Sequence, residues 1–204
     1  MAKKIKRHGC KVVTSEVIIV DNSLRNALNY HGSSKYATTV VFPESNKELA
    51  SEIQAAMRAA FDENGFKLYN GTDSKIEFEN VITPLKRGSE VKRSDSRFKG
   101  MYFLKATTKE QPAIVDENLK LWADTTPIAE SPLARVSMVF DCFHVEREQK
   151  QEDLFYARLL NVQILDNKNH LKTRAECRAS DSAKEAVQDF CDEGSNDCVD
   201  DFSE

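Results

Sequence analysis

Seven cations and three aromatic rings share the twenty residues from Lys86 to Lys105. Lys86, Arg87, Lys92, Arg93, Arg97, Lys99 and Lys105 interleave with Phe98, Tyr102 and Phe103, against only Glu90 and Asp95. Cations neutralise phosphates and release counterions, and aromatic faces stack unpaired bases at roughly 1–3 kcal/mol each whatever the sequence. The mixture suits a single-stranded nucleic acid; a solvated loop ahead of an ordinary strand has the same composition. Strand alternation puts Arg97, Lys99, Met101, Phe103 and Lys105 on one face, assigned to nucleic acid, and Phe98, Tyr102, Leu104 and Ala106 on the other. A bend at Gly100 would break that phase and present Tyr102 instead. Further along, Arg135, Ser137, Val139, Asp141 and Phe143 share a face, so Arg135 and Phe143 are either ligand contacts or rim and core residues. Trp122, close to Lys120, stacks a base or anchors its proline-rich loop.

Enzymatic chemistry finds little support. The chain has no G-x-x-x-x-G-K-[ST], G-x-G-x-x-G or G-x-S-x-G, which removes the usual phosphate loops and nucleophile elbow. The acids Glu77, Glu79, Asp116 and Asp124 have no spacing that marks a magnesium site, and His144-Val145-Glu146 lacks the P-C-x-x-C a zinc deaminase needs. Four scattered histidines and five cysteines without C-x-x-C spacing offer no zinc cluster. No cofactor or metal is expected, and no enzyme. The odd cysteine count and the lack of any long apolar run lead to the expectation of a soluble, cytoplasmic protein with reduced thiols and no membrane contact.

The elements that must position these residues are mostly strands. A basic arm, residues 1–11, precedes the β-branched run from Val12 to Val20; Asp21 to Ser34 reads as a loop; Lys35 to Phe42 is a strand closed by Pro43. Ser45 with Glu48 forms a capping box for a helix running to Asn64, with Gly65 as its stop. Ile76 to Ile82 reads as a short strand. The strongest β segments are Gly100 to Thr107, Leu133 to Val145 and Leu154 to Leu165, with Gln111 to Pro132 an irregular connection. Several strands, one helix and no βαβ rhythm give a mainly β fold: a five-stranded antiparallel barrel with an inserted helix. The oligonucleotide-binding (OB) barrel is the commonest such architecture, although other small barrels satisfy the pattern.

The net charge of −4 averages two unlike regions. From Asp181 to Glu204 nine acids face one base, a net of −8, which leaves 28 bases and 24 acids, net +4, on residues 1–180. The expected organisation is a binding domain over 1–180 and a flexible acidic tail over 181–204.

One order of features is familiar: Lys35-Tyr36 opening a strand that ends in Phe42-Pro43, a capped helix, Pro84-Leu85, and a basic loop with Lys99-Gly100-Met101-Tyr102-Phe103. Arg135-Val136-Ser137 and Leu160-Asn161-Val162-Gln163 follow. Over most of residues 35–204 this resembles the phage-encoded single-stranded-DNA-binding proteins with an OB fold, the podophage helix-destabilising type. The resemblance implies a protein that coats single strands in replication, recombination and repair, with Lys35 and Tyr36 joining the DNA contacts. It also implies a tail, here Asp197, Asp200, Asp201, Phe202 and Glu204, that regulates binding and docks the replication polymerase and helicase-primase. A homodimer is compatible with this pattern. Two residues follow Phe202, a departure from the usual ending. The competing readings are a non-enzymatic phage interaction or structural protein and a metal-dependent nuclease.

Overall fold

Three long runs of alternating side chains set the register of the computed structural model, which describes residues 6–30, 33–68, 76–90, 96–147 and 150–171. The strands are β1 (Lys6–His8), β2 (Lys11–Val13), β3 (Val17–Tyr30), β4 (Ser33–Pro43), β5 (Lys86–Arg87), β6 (Met101–Thr108), β7 (Ala113–Val115), β8 (Leu133–Arg147) and β9 (Lys150–Asp166). Five of them close a ring in the order β8-β3-β4-β6-β9 and back to β8. This is the OB-type barrel, with β1 and β2 added at β8, β5 at β6 and β7 at β9. The ring departs from an all-antiparallel one at a single seam: β6 and β9 run parallel, paired only at Ala106–Ala157 and Thr107–Arg158. A parallel pair needs a crossover rather than a tight hairpin, and the crossover here is the chain from residue 109 to 132 followed by β8.

Interior positions carry the apolar member of each alternation. Val40, Phe42, Leu104, Ala106, Val136, Met138, Phe140, Cys142, Leu159 and Val162 are all buried in one cluster. Burying each large side chain is worth about 1.5–3 kcal/mol, which offsets the cost of ordering strands with so many polar outer residues. The helix α1 (Lys47–Asn64) lies against this barrel through Leu49, Ile53, Ala56, Met57 and Ala60. The Cys142 thiol on β8 donates to the Ala60 carbonyl, 3.6 Å away, so the small residues let helix and strand backbones approach. Among the described residues, no helix is long and apolar enough to cross a membrane.

Four local expectations are corrected. Asp21 to Ser34 is not a loop: its described residues belong to β3 and β4, which pair from Ile18–Val41 out to Tyr30–Ser33 with register shifts on either side of Ser23. The stretch is polar because it forms an exposed ribbon, and bulges with a positive φ at Asp21 disguise its alternation. Helix α1 is capped by Asn46, whose side-chain oxygen accepts from the Leu49 amide at 3.1 Å, not by Ser45. Gly65 keeps a right-handed φ of −58° and the chain tightens into a 3-10 turn, Gly65–Leu68, instead of stopping. Ile76 to Ile82 holds a 3-10 turn, Phe78–Asn80, not a strand, and Ile82 alone makes a bridge to Leu154.

The proline-containing connection is irregular apart from β7. Arg25 on β3 ties it down by donating to the carbonyls of Ala123 and Asp124.

Candidate nucleic-acid interface

The face of the second and third barrel strands, with the loops beside it, is where OB barrels bind oligonucleotides. Here those strands are β4 and β6. Their register sets Ala37 beside Thr107, Thr39 beside Lys105 and Val41 beside Phe103. Lys105 is exposed while Leu104 and Ala106 on either side of it are wholly buried, so this row points outward. Leu28, Lys35, Ala37, Lys105 and Thr107 line a groove of about 190 Å³ on it. Across the parallel seam the row continues on β9 with the exposed Arg158, directly beside Thr107. Tyr156, two residues earlier, packs edge-on against Phe143 of β8 with ring centroids 6.0 Å apart. The result is an outward strip over five strands, from Leu28 on β3 through the cations Lys35, Lys105 and Arg158 to the aromatic rings at its β8–β9 end.

The lower end of the same face is covered by the chain itself. Val20, Val41 and Phe98 form a second apolar cluster with Ile18, Met101, Phe103 and Leu171 against it. Phe98 stacks on Phe103 at 4.9 Å, although simple alternation puts the two on opposite faces. The reason is that Ser96–Phe98 is a 3-10 turn, and the alternation begins only at Met101. Arg97 goes with it: its side chain is 6% exposed and lies 3.8 Å from Asp21, with its guanidinium 5.3 Å from the Phe98 ring. Lys86 pairs opposite Phe103 and is exposed, as is Lys99.

Tyr102 stays on the interior face despite the bend at Gly100, where φ is +73°. Its ring is buried 5.5 Å from Phe42, Arg87 donates to its hydroxyl at 3.3 Å, and Lys47 lies 5.5 Å from the ring. Tyr36 pairs with Thr108 and is half-buried. Trp122 is half-buried against the core and donates its indole N–H to the Thr126 carbonyl at 3.0 Å. Arg135 donates to the Thr14 carbonyl at 3.1 Å on β8, two strands from β4 around the ring. Phe143 is 36% exposed. Lys92 and Arg93, and the tail residues Asp197, Asp200, Asp201, Phe202 and Glu204, lie outside the described residues.

Leu28, Tyr156 and Arg158 were not legible as site residues from the chain. The sequence marks Leu154 to Leu165 as a strong β segment without saying which row faces out; the buried Phe155, Ala157 and Leu159 put Tyr156 and Arg158 on the opposite row. No cluster of three or more His, Cys, Asp or Glu forms among the described residues. The Asp116 carboxylate accepts from the amides of Asn118 and Lys120. Glu79 is held below the usual carboxylate range by its backbone hydrogen bonding and then by Arg58, 3.0 Å away.

No curated protein sequence matches the chain. Residues 10–191 match the family model described as Enterobacter phage Enc34, ssDNA-binding protein. Among solved structures, the single-stranded DNA-binding protein of bacteriophage Enc34 in complex with ssDNA is similar. Its TM-score is 0.59 at 15% identity, over 78% of this chain and 88% of that one. A C-terminal truncation of the same protein gives 0.59 and 15%, covering 83% and 96%. Gp2.5, a single-stranded DNA binding protein encoded by bacteriophage T7, gives 0.55 at 12% identity, covering 98% and 100%. At such identities the structures speak for the fold alone, whereas the family model spans most of the sequence: the chain belongs to the family of the Enterobacter phage Enc34 ssDNA-binding protein.

Proposed function

We propose that this protein binds single-stranded DNA without sequence preference, through the outward strip from Leu28 and Lys35 across Lys105 and Thr107 to Arg158, Tyr156 and Phe143. The observation that carries the reading is that Lys35 and Lys105 line one groove, and that Arg158 stands beside Thr107 of that groove across the β6–β9 seam. Phosphates pair with the cations, and bases pack on Leu28 and the aromatic end. Strand register holds these groups, so no chemical step is needed and the protein acts as a coat rather than an enzyme. The Enc34 relative was solved with ssDNA, which supports the same ligand for this family member.

On the same reading the protein coats and protects strands during phage replication, recombination and repair in the host cytoplasm. The −8 tail competes for the cationic strip when DNA is absent, and Phe202 docks a replication polymerase or helicase-primase.

A titration of labelled oligo-dT and of the matching duplex, with and without Mg²⁺, tests the proposal. Oligo-dT binds more tightly than duplex, log K falls linearly with log salt, and no cleavage appears. Equal affinity for both forms, or no binding at low salt, overturns it. The double variant K105E/R158E is expected to lose at least tenfold in oligo-dT affinity.

A further inference from the structure

The barrel closes between β6 and β9 through two residue pairs only, Ala106–Ala157 and Thr107–Arg158. Against this short ladder, one side chain makes two further bonds across the seam. The Tyr156 hydroxyl donates to the Thr107 carbonyl at 2.6 Å and accepts from the Thr107 hydroxyl at 2.9 Å. Thr107 lines the groove with Lys35 and Lys105, and Arg158 is its direct neighbour across the seam. The phenol oxygen is thus engaged by the protein's own backbone and hydroxyl, in a place where an aromatic residue meant only for stacking needs no hydroxyl at all.

We infer that Tyr156 is a positioning residue: its hydroxyl locks the β6–β9 seam and thereby sets Arg158 in line with Lys105 along the DNA track. The inference rests on the single-stranded-DNA reading above and adds to it a division of labour within the strip. Lys105 sits on β6, Arg158 on β9, and two consecutive phosphates meet both cations only if the two strands keep one relative height. Two backbone pairs brace the seam over only a short length; two hydroxyl bonds from one rigid ring add resistance to local shear there. The ring itself is braced on its other side by Phe143, 6.0 Å away on β8, so the hydroxyl end is placed by the ring rather than by a flexible chain.

The experiment is the salt dependence of oligo-dT affinity, read by fluorescence anisotropy, for wild type, Tyr156→Phe, Arg158→Gln and the double variant. Tyr156→Phe keeps the ring and its contact with Phe143, so a residue that only stacks bases leaves affinity and slope as in wild type. The positioning role predicts a loss of about fivefold in affinity. It also predicts a slope reduced by about 0.7, the value for one single-strand phosphate contact. Arg158→Gln gives the same reduction, and the double variant is no worse than either single one. Thr107→Val, which leaves only the bond to the carbonyl, shifts affinity and slope in the same direction by less. A wild-type slope for Tyr156→Phe, an unaltered slope for Arg158→Gln, or additive losses in the double variant would each overturn the inference while leaving single-stranded-DNA binding as such intact. Failure of wild type to bind oligo-dT would instead remove the reading beneath it.

Discussion

A methyl group placed on Gly88 would stand 1.8 Å from the Phe98 carbonyl oxygen, closer than any unstrained contact. This glycine lets the two ends of the basic excursion, Gly88–Glu90 and Ser96–Phe98, pass against each other, and so seats Phe98 on Phe103. Gly88→Ala should therefore cost at least about 2 kcal/mol, lowering Tm by roughly 4–8 °C in calorimetry. The thiol of Cys10 behaves differently from an ordinary surface cysteine. Burial raises its pKa above the usual value, and the Glu63 carboxylate raises it further. Less thiolate is then present at any given pH near 8, so Cys10 should alkylate more slowly than a small free thiol at pH 8. Glu63→Gln should speed it, as read peptide by peptide in mass spectrometry. The thiol's slowness follows from its surroundings, since nothing in the sequence near Cys10 announces a carboxylate more than fifty positions away.

At the scale of elements, the placing of the helix shows how neighbouring polar residues compete for one role. Ser45, Asn46 and Glu48 all have capping chemistry, and the capping-box pattern selects Ser45. The folded chain selects Asn46 instead, because β4 runs through Pro43 and the Asn46 amide donates to the Pro43 carbonyl at 2.9 Å. That turn sets the Asn46 side chain against the Leu49 amide, the third of the helix. Asn46→Ala should cost about 1 kcal/mol in denaturant unfolding, while Ser45→Ala, at an exposed position, should change stability by less than about 0.5 kcal/mol. The β3–β4 ribbon teaches the related point that polar composition does not mean loop. Its residues pair along an arm that buries little, so the apolar alternation that identifies strands is missing although the ladder is present. β8 and β9, which bury one face along most of their length, were legible nearly to their ends for the opposite reason.

For the whole molecule, charge is the property that connects the described barrel to the acidic segment beyond it. On the proposed reading the −8 segment competes with DNA for the cations of the +4 body, and competition of this kind weakens with salt. Removing residues 191–204 is expected to tighten oligo-dT binding at low salt, with the two curves converging as salt rises. Equal affinity at every salt concentration would end the competitor idea. The measurement is the same anisotropy titration, run on full-length and shortened chains.

The sequence by itself determined the mainly β class, the helix after Pro43 and its buried stripe, the strands β6, β8 and β9, the segregation of charge and the absence of familiar enzyme motifs. These depend on local periodicity and composition, which read directly from neighbouring residues. It also separated Leu104 and Ala106 from Lys105, because alternation within one strand is local. Only the tertiary structure decided which cations share a surface. Lys35, Lys105 and Arg158 come from three strands far apart in the chain: the first two line one groove, and the third stands beside Thr107 of that groove across a two-pair parallel seam. Arg97, Tyr102, Trp122 and Arg135 have suitable chemistry but are engaged in packing or backbone bonds. Register and closure are cooperative properties of the barrel, set by the burial of all its inner faces at once, and no window of sequence contains them.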